Sequence, residues 1–163
     1  MEMKIVRKRV ICFLMVLALM ASAMQVPAKA APKGYLFKYK GVLASMHGKA
    51  DALMKKAGKP LSQKRSKSCA YNGLDSTYVY KDFTLTTYSN SVKGTQYINS
   101  ITLRTNKVAT KEGVKIGSSY NTVVKKYGKA KDNFGVYFYT KGKSRLQIEV
   151  TDKKVSGIMY VAK

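Results

Sequence analysis

The sequence contains little cysteine, histidine or acidic residue, and these shortages exclude several classes of protein. Its 163 residues include two cysteines, one histidine and eight Asp or Glu side chains. Two cysteines exclude a disulfide-dense scaffold, and so few Cys and His residues exclude a zinc site built from them. A histidine-dependent mechanism has only His47 to use. The carboxylates are scattered, so neither a metal site nor the carboxylate pair of a glycosidase is indicated.

The first thirty residues have the features of a secretory signal peptide. Basic residues precede an apolar stretch of eleven residues over 10–20, which is too short to span a bilayer about 30 Å thick. Small residues at A-x-A spacing follow, so we expect export with cleavage after Ala30 or, alternatively, after Ala23. A lipoprotein signal needs a small-residue box that ends in cysteine after the apolar stretch. Cys12 lies at the start of the stretch instead, so lipidation is not expected. No later segment reaches about 18 apolar residues, so no transmembrane segment is expected after cleavage.

Positive charge is the strongest signal in the composition. The chain carries 31 Lys or Arg residues and a formal net charge of +23. Residues 31–163 hold 26 basic and seven acidic side chains, a formal charge of +19. Self-repulsion at such a charge opposes compaction unless anions lie close, which indicates an anionic partner.

Residues 31–163 contain a single cysteine, Cys69, so they cannot form an internal disulfide. Together with His47 it would supply a thiolate nucleophile and its base, but nothing else in the sequence supports catalysis. A buried thiol that packs like a small apolar side chain is the simpler interpretation. An exposed thiol would instead allow a disulfide between molecules.

Two segments of the chain repeat at an offset of 70 residues. The run Lys-Lys-x-Gly-Lys occurs at 55–59 and again at 125–129. Apolar residues at i, i+3, i+4 and i+7 accompany both copies and predict a short amphipathic helix that ends at the glycine. Alternating apolar residues downstream predict antiparallel strands. We therefore predict an α+β fold of two helix-plus-antiparallel-meander repeats, 31–110 and 111–163, in one compact domain with the helices packed on one face of the sheet.

Three runs carry a resemblance to known proteins: Ser-Cys-Ala-Tyr-Asn-Gly-Leu-Asp at 68–75, Phe-Thr-Leu-Thr-Thr-Tyr at 83–88 and Glu-Gly-Val-Lys-Ile-Gly-Ser at 112–118. Together they resemble a family of exported proteins and lipoproteins of Gram-positive anaerobes, whose molecular function is uncharacterised. The repeated helix and meander also resemble the β-lactamase-inhibitor-protein-like fold and small outer-membrane assembly lipoproteins. The resemblance implies the fold and export, and it supplies no catalytic residues. Members of the family are often acidic and lipid-anchored, unlike this basic chain.

Basic residues cluster at the ends of both predicted helices and in the loops that follow them. Neither run contains an acidic residue. A solvated surface, with lysines favoured at helix C-termini, explains some of them but not the total charge. We predict that these residues form a polyanion-binding site: Lys55, Lys56, Lys59, Lys64, Arg65, Lys67, Lys125, Lys126, Lys129 and Lys131.

Four tyrosines give a second signal. Tyr78 and Tyr80 correspond to Tyr137 and Tyr139, and each pair is spaced to share one face of a strand. The apolar residues that alternate with the second pair are expected in the core. An exposed tyrosine face would suit protein binding. Alternatively, the rings cover the sheet and their hydroxyls reach water.

Composition and patterning together predict a secreted, non-enzymatic binding module of the cell envelope that uses no cofactor. Its expected partner is an anionic envelope polymer, an anionic lipid surface or an acidic protein. The alternative is an inhibitor-like or assembly module that binds a protein through the tyrosine face. Export makes nucleic acid a secondary expectation.

Overall fold

The computed structural model describes residues 34–69 and 72–163, which belong to one compact unit, residues 32–163. These described ranges contain nine strands and two helices. The predicted signal peptide, residues 1–30, and both of its candidate cleavage sites lie outside the described residues.

A β-hairpin precedes the first helix. Its strands, β1 (Leu36–Tyr39) and β2 (Val42–Ser45), pair antiparallel. Lys40 and Gly41 connect them with φ angles of 44° and 85°. Positive φ at both positions is what a two-residue type I′ turn requires. The hairpin buries Phe37 completely, so it contributes to the core as well as to the surface.

The main sheet has seven antiparallel strands. In chain order they are β3 (Ser62–Lys67), β4 (Leu74–Val79), β5 (Phe83–Ser89), β6 (Tyr97–Leu103), β7 (Val136–Lys141), β8 (Ser144–Thr151) and β9 (Lys154–Ala162). Across the sheet the order is β3-β4-β5-β6-β9-β8-β7, which makes β3 and β7 the edge strands. The pairing of β6 with β9, where Ser100 lies opposite Val161, joins the two halves of the chain in one continuous sheet.

One face of the main sheet is buried and the other is open. Alternate residues such as Leu85, Ile101 and Leu146 are 0% exposed and belong to the core cluster. On the open face the register places Thr86 beside Ser100, and their hydroxyl oxygens lie 2.6 Å apart. Half-buried residues with hydroxyl groups allow this second face of the sheet to remain in contact with water.

Two short helices form where the apolar spacing predicts them, which confirms their positions. They are α1 (Asp51–Ala57) and α2 (Tyr120–Tyr127). Leu53 of α1 and Val123 of α2 are 1% and 0% exposed, so the predicted apolar stripe is the buried one. A glycine with a φ angle of 82° or 85° follows each helix, a backbone conformation that ends it.

The predicted α+β class is wrong, because the described chain is mostly β. Its two helices have seven and eight residues. At about 1.5 Å per residue they are about 10–12 Å long, too short to cover seven strands. Moreover, α1 packs against the β1–β2 hairpin. The two halves are also unequal, since the hairpin and β3 have no counterpart strands among the described residues of 111–163.

Residues 62–67 form an edge strand where the sequence predicted a loop. All six residues of β3 are exposed and none is apolar. The strand forms because its backbone pairs with β4, with Lys64 opposite Thr77 and Ser66 opposite Asp75. Edge strands commonly carry charged side chains, which discourage pairing with other chains. Because this strand contains no apolar residues, alternation of apolar and polar residues could not predict it.

Candidate functional site

The four tyrosines that were expected on an open face lie on the buried face. Their exposed fractions are 2% for Tyr78, 3% for Tyr80, 8% for Tyr137 and 7% for Tyr139. The buried and exposed faces of β7 are the reverse of the prediction. Phe138, on the opposite face from Tyr137 and Tyr139, was expected in the core but is 37% exposed. The prediction of an exposed tyrosine face is therefore wrong, and these rings belong to the core.

Hydrogen-bond partners help two of these tyrosines, Tyr78 and Tyr139, to occupy the core. The Tyr78 hydroxyl donates to Gln96 Oε1 at 2.9 Å and accepts from Arg65 Nη2 at 3.3 Å. The Tyr139 hydroxyl donates to the carbonyl oxygen of Gly128 at 3.1 Å. Burial of a tyrosine is tolerated when its hydroxyl is paired in this way.

The partly and fully buried phenols beside α2 stay neutral at physiological pH. The Tyr127 hydroxyl donates to Glu112 Oε2 at 2.6 Å and lies 2.7 Å from Thr110 Oγ1. Burial, reinforced by the bond to Glu112, raises the pKa of Tyr127. Burial, reinforced by a hydrogen bond with Tyr120, raises the pKa of Tyr137 to about 12. These side chains therefore add no negative charge beside the lysines of α2.

All ten basic residues of the predicted polyanion site are exposed. They fall into two groups, and neither range, 55–67 or 125–131, contains an acidic residue. The first group, here the α1–β3 segment, comprises Lys55, Lys56, Lys59, Lys64, Arg65 and Lys67. The second group, here the α2 segment, comprises Lys125, Lys126, Lys129 and Lys131.

The α1–β3 segment presents positive charge to both sides of the sheet edge. Two of its lysines occupy the last turn of α1, where cations face the negative end of the helix. Residues that lie opposite each other on the paired strands β3 and β4 share one face of the sheet. Lys64 lies opposite Thr77 on the open face, whereas Arg65 lies opposite the buried Ser76 on the core side. The basic run is therefore a charged edge and not a flat patch.

The α2 segment lies at the opposite edge of the same sheet. Tyr120 and Tyr127 of α2 contact Tyr137 and Tyr139 of the edge strand β7, with ring centroids 4.6 Å and 5.2 Å apart. The two edge strands are separated by six strand spacings of about 4.8 Å, or about 29 Å. That separation exceeds the Debye length of about 8 Å at physiological salt. A small anion at one segment is thus screened from the other.

Within the described part of the chain, no hydrogen bond joins His47 and Cys69, the two residues weighed for thiol catalysis. The ring of His47 is engaged elsewhere, with Nδ1 3.1 Å from Tyr88 Oη and Nε2 3.2 Å from the backbone oxygen of Lys163. Cys69 is an exposed free thiol, which contradicts the expectation that it is buried. Within residues 34–69 and 72–163, no group of three or more His, Cys, Asp or Glu side chains is placed to hold a metal ion.

A strained turn precedes β7, and neither the apolar pattern nor the charge pattern predicts it. Asn133 and Val136 exchange two backbone hydrogen bonds of 3.2 Å and 3.1 Å around Phe134 and Gly135. The φ angles of the two central residues are 53° and 79°, as in a type I′ turn. A bulky residue in this left-handed conformation costs about 1–3 kcal/mol. The Asn-Phe-Gly run is the signal that identifies such a turn, because Asn and Gly favour turns.

Comparison with known proteins adds no further identification. A scan of the chain against protein-family models, and searches among curated proteins and solved structures, found no match. Neither helix in the described part of the chain is long and apolar enough to cross a membrane. The resemblance to exported proteins of Gram-positive anaerobes stays a prediction, and the geometry of the two basic segments is the basis for a function.

Proposed function

We propose that this chain is an exported, non-enzymatic binding module that attaches to anionic polymers or anionic lipids of the cell envelope. The proposal depends on one observation, the placement of ten exposed cations in two acid-free runs, one that leads from α1 into the edge strand β3 and one in and after α2, beside the opposite edge strand β7. Cations that lie within about 8 Å of one another act together on a polyanion at physiological salt. Scattered lysines on an ordinary solvated surface do not have this property.

An extended ligand suits this arrangement better than a small one. The two edge strands lie about 29 Å apart, so a small anion contacts one segment at a time. A long polyanion or a charged surface contacts both segments at once, and the second contact raises the overall affinity by effective concentration. The geometry thus favours a polymer or a lipid surface over a small anionic metabolite.

The alternative of a protein module that uses a tyrosine face has lost its support. All four tyrosines are at most 8% exposed, so they offer no contact area to a partner. An acidic protein or a nucleic acid would contact the same cations as an envelope polymer, so both are alternative ligands in the binding test.

Neutralising the α1–β3 segment tests the proposal. Replacing its six cations with Gln should weaken binding to soluble polyglycerol phosphate by about tenfold or more and flatten the dependence of affinity on salt, because fewer counterions are released. Calorimetric titration at several salt concentrations measures both effects. A matched control lowers the net charge equally through six exposed lysines outside both segments: Lys38, Lys81, Lys93, Lys107, Lys115 and Lys143.

The control decides between clustered and total charge. Equal losses in the two variants would show that net charge governs binding and would remove the two segments as a site. Neutralising the α2 segment as well should weaken the binding of long chains much more than that of short oligomers, which cannot reach both edges. If the wild type bound neither polyglycerol phosphate nor anionic vesicles, or preferred an acidic protein or duplex DNA, the envelope proposal would be overturned.

A further inference from the structure

Phe134 is a fully exposed aromatic side chain on a strained backbone. Its exposed fraction is 101%, the highest among the large apolar residues of the described chain. Its φ angle is 53°, although left-handed turn positions are normally occupied by Gly, Asn or Asp. Neither packing nor backbone preference therefore explains a phenylalanine here. Residues held in such conformations without a structural reason point to function.

The turn presents Phe134 next to the α2 segment. Lys129 and Lys131 precede the turn in the sequence, and both are exposed. Of the nearby acidic residues, Asp132 accepts a hydrogen bond of 2.7 Å from the Gly135 amide within the turn, and Glu149, opposite Val136 on β8, accepts one of 3.2 Å from Gln147 Nε2. A projecting aromatic ring is thus combined with exposed lysines, while these two carboxylates are hydrogen-bonded within the protein.

We infer that Phe134 inserts into the interface of an anionic lipid bilayer while the lysines of the α2 segment bind the headgroups. The inference rests on the proposed function and selects lipid as the partner of this segment. Interfacial anchors combine Phe, Trp or Leu side chains with Lys or Arg beside them. The long stems of the lysines let their ammonium groups stay at headgroup level while the ring lies deeper.

A lipid surface fits this feature better than the other partners. A soluble polyanion offers no apolar environment for the ring, so Phe134 would remain in water in that complex. A protein interface has a core of several apolar side chains, whereas the neighbours Lys131, Asp132 and Asn133 are polar and exposed. A single projecting ring among lysines is what an interfacial anchor needs.

The chain contains no tryptophan, which allows a direct test of insertion. In Phe134→Trp the single indole should show a blue-shifted emission with vesicles of phosphatidylcholine and phosphatidylglycerol, and quenching by lipids brominated on the acyl chains. Vesicles of phosphatidylcholine alone should leave the emission unchanged. Val92→Trp is a matched control, because position 92 is 71% exposed and lies outside both basic segments. This control should not be quenched.

A second variant keeps the inference testable without the probe. Phe134→Asn suits the left-handed turn, so its thermal unfolding midpoint should equal or exceed that of the wild type. Its affinity for the anionic vesicles should fall by about tenfold, the effect expected from loss of one buried aromatic ring. Its affinity for soluble polyglycerol phosphate should not change, since the lysines remain.

The outcomes separate this inference from the proposed function. If the protein sediments with anionic vesicles but the indole at position 134 shows no shift, insertion is refuted and attachment through charge remains. The same conclusion follows if Phe134→Asn binds the vesicles as well as the wild type does. An equal shift with neutral vesicles would overturn the role given to the lysines. Failure of the wild type to bind either vesicles or polymer would overturn the proposed function itself.

Discussion

At the scale of single residues, Tyr160 places a polar atom where the fold satisfies it poorly. Its side chain is 1% exposed, and its hydroxyl makes no hydrogen bond of normal length and angle among the described residues, although the backbone of Lys111 lies close enough to lower its pKa slightly. The ring packs edge-on against Phe37 with centroids 5.7 Å apart, so the ring and not the hydroxyl stabilises the core. Burial, helped by the charge of Glu112, raises the pKa of Tyr160.

Removing this hydroxyl should stabilise the protein. Tyr160→Phe should raise the free energy of unfolding at pH 7 by about 1 kcal/mol, because an unsatisfied buried group is lost. In the control, Tyr78→Phe, the free energy of unfolding should fall by about 1 kcal/mol, since the Tyr78 hydroxyl donates to Gln96 at 2.9 Å. Urea denaturation followed by circular dichroism measures both. Equal destabilisation of the two variants would contradict this account of Tyr160.

Tyr160→Phe should also alter how the free energy of unfolding responds to alkaline pH. A phenol with a higher pKa in the folded than in the unfolded chain contributes stability below the unfolded value of about 10, and that stability is lost as pH rises through the folded value. Tyr127, Tyr137 and Tyr160 all have raised pKa values. The wild type should therefore lose stability above pH 10, and Tyr160→Phe should lose less of it. Identical curves for the two proteins between about pH 10 and 12 would refute this contribution.

The tyrosines also show what local patterning predicts about a residue. Alternation correctly indicates that Tyr137 and Tyr139 share a face, but it does not determine which face is buried. That choice depends on contacts from distant parts of the chain, such as the ring of Tyr120 against Tyr137 and the carbonyl of Gly128 that accepts from Tyr139. No local sequence feature contains that information.

At the scale of elements, the two helices were predictable because each carries a complete apolar stripe. Leu53→Asp and Val123→Asp should each lower the free energy of unfolding by about 3 kcal/mol or more, since each buries an unpaired carboxylate. Lys55→Gln, on the exposed side of α1, should change it by less than about 0.5 kcal/mol. Thermal and urea unfolding provide the measurement. A Leu53→Asp protein that melts like the wild type would show that α1 does not bury this face.

Strand β3 was not predictable from the sequence, because only its backbone hydrogen bonds, and no pattern of side chains, identify it as a strand. The Ser68 amide donates to Gly73 at 2.9 Å, and antiparallel alternation then directs the amide of Ser66 towards β4 and that of Lys67 outwards. Ser66→Pro should therefore lower the free energy of unfolding by about 2 kcal/mol, while Lys67→Pro should have a much smaller effect. Urea unfolding distinguishes them. Equal effects would indicate that this segment is a loop after all.

At the scale of the whole molecule, the two basic runs were visible in the sequence but their separation was not. Each run follows directly from the composition of residues 55–67 and 125–131. Their positions at opposite edges depend on the pairing of β6 with β9, in which Ser100 meets Val161 across 61 positions of the chain. A repeat detected by local similarity does not specify such a pairing. The proposed two-point contact with a polymer is therefore a property of the topology.

The exposed edge strand β3 also bears on how copies of this protein behave in solution. Its outward-facing amides and carbonyls are a template on which a second sheet edge can hydrogen-bond, and such templates start aggregation. Lys64, Arg65 and Lys67 repel an identical edge, and salt weakens that repulsion. Replacing the three with Ser should produce light scattering that grows with protein concentration, and salt should have little further effect. In the wild type, high salt should promote light scattering. A bound polyanion chain should suppress the scattering, because it covers the strand. Occupancy of the binding site and colloidal stability should therefore rise together.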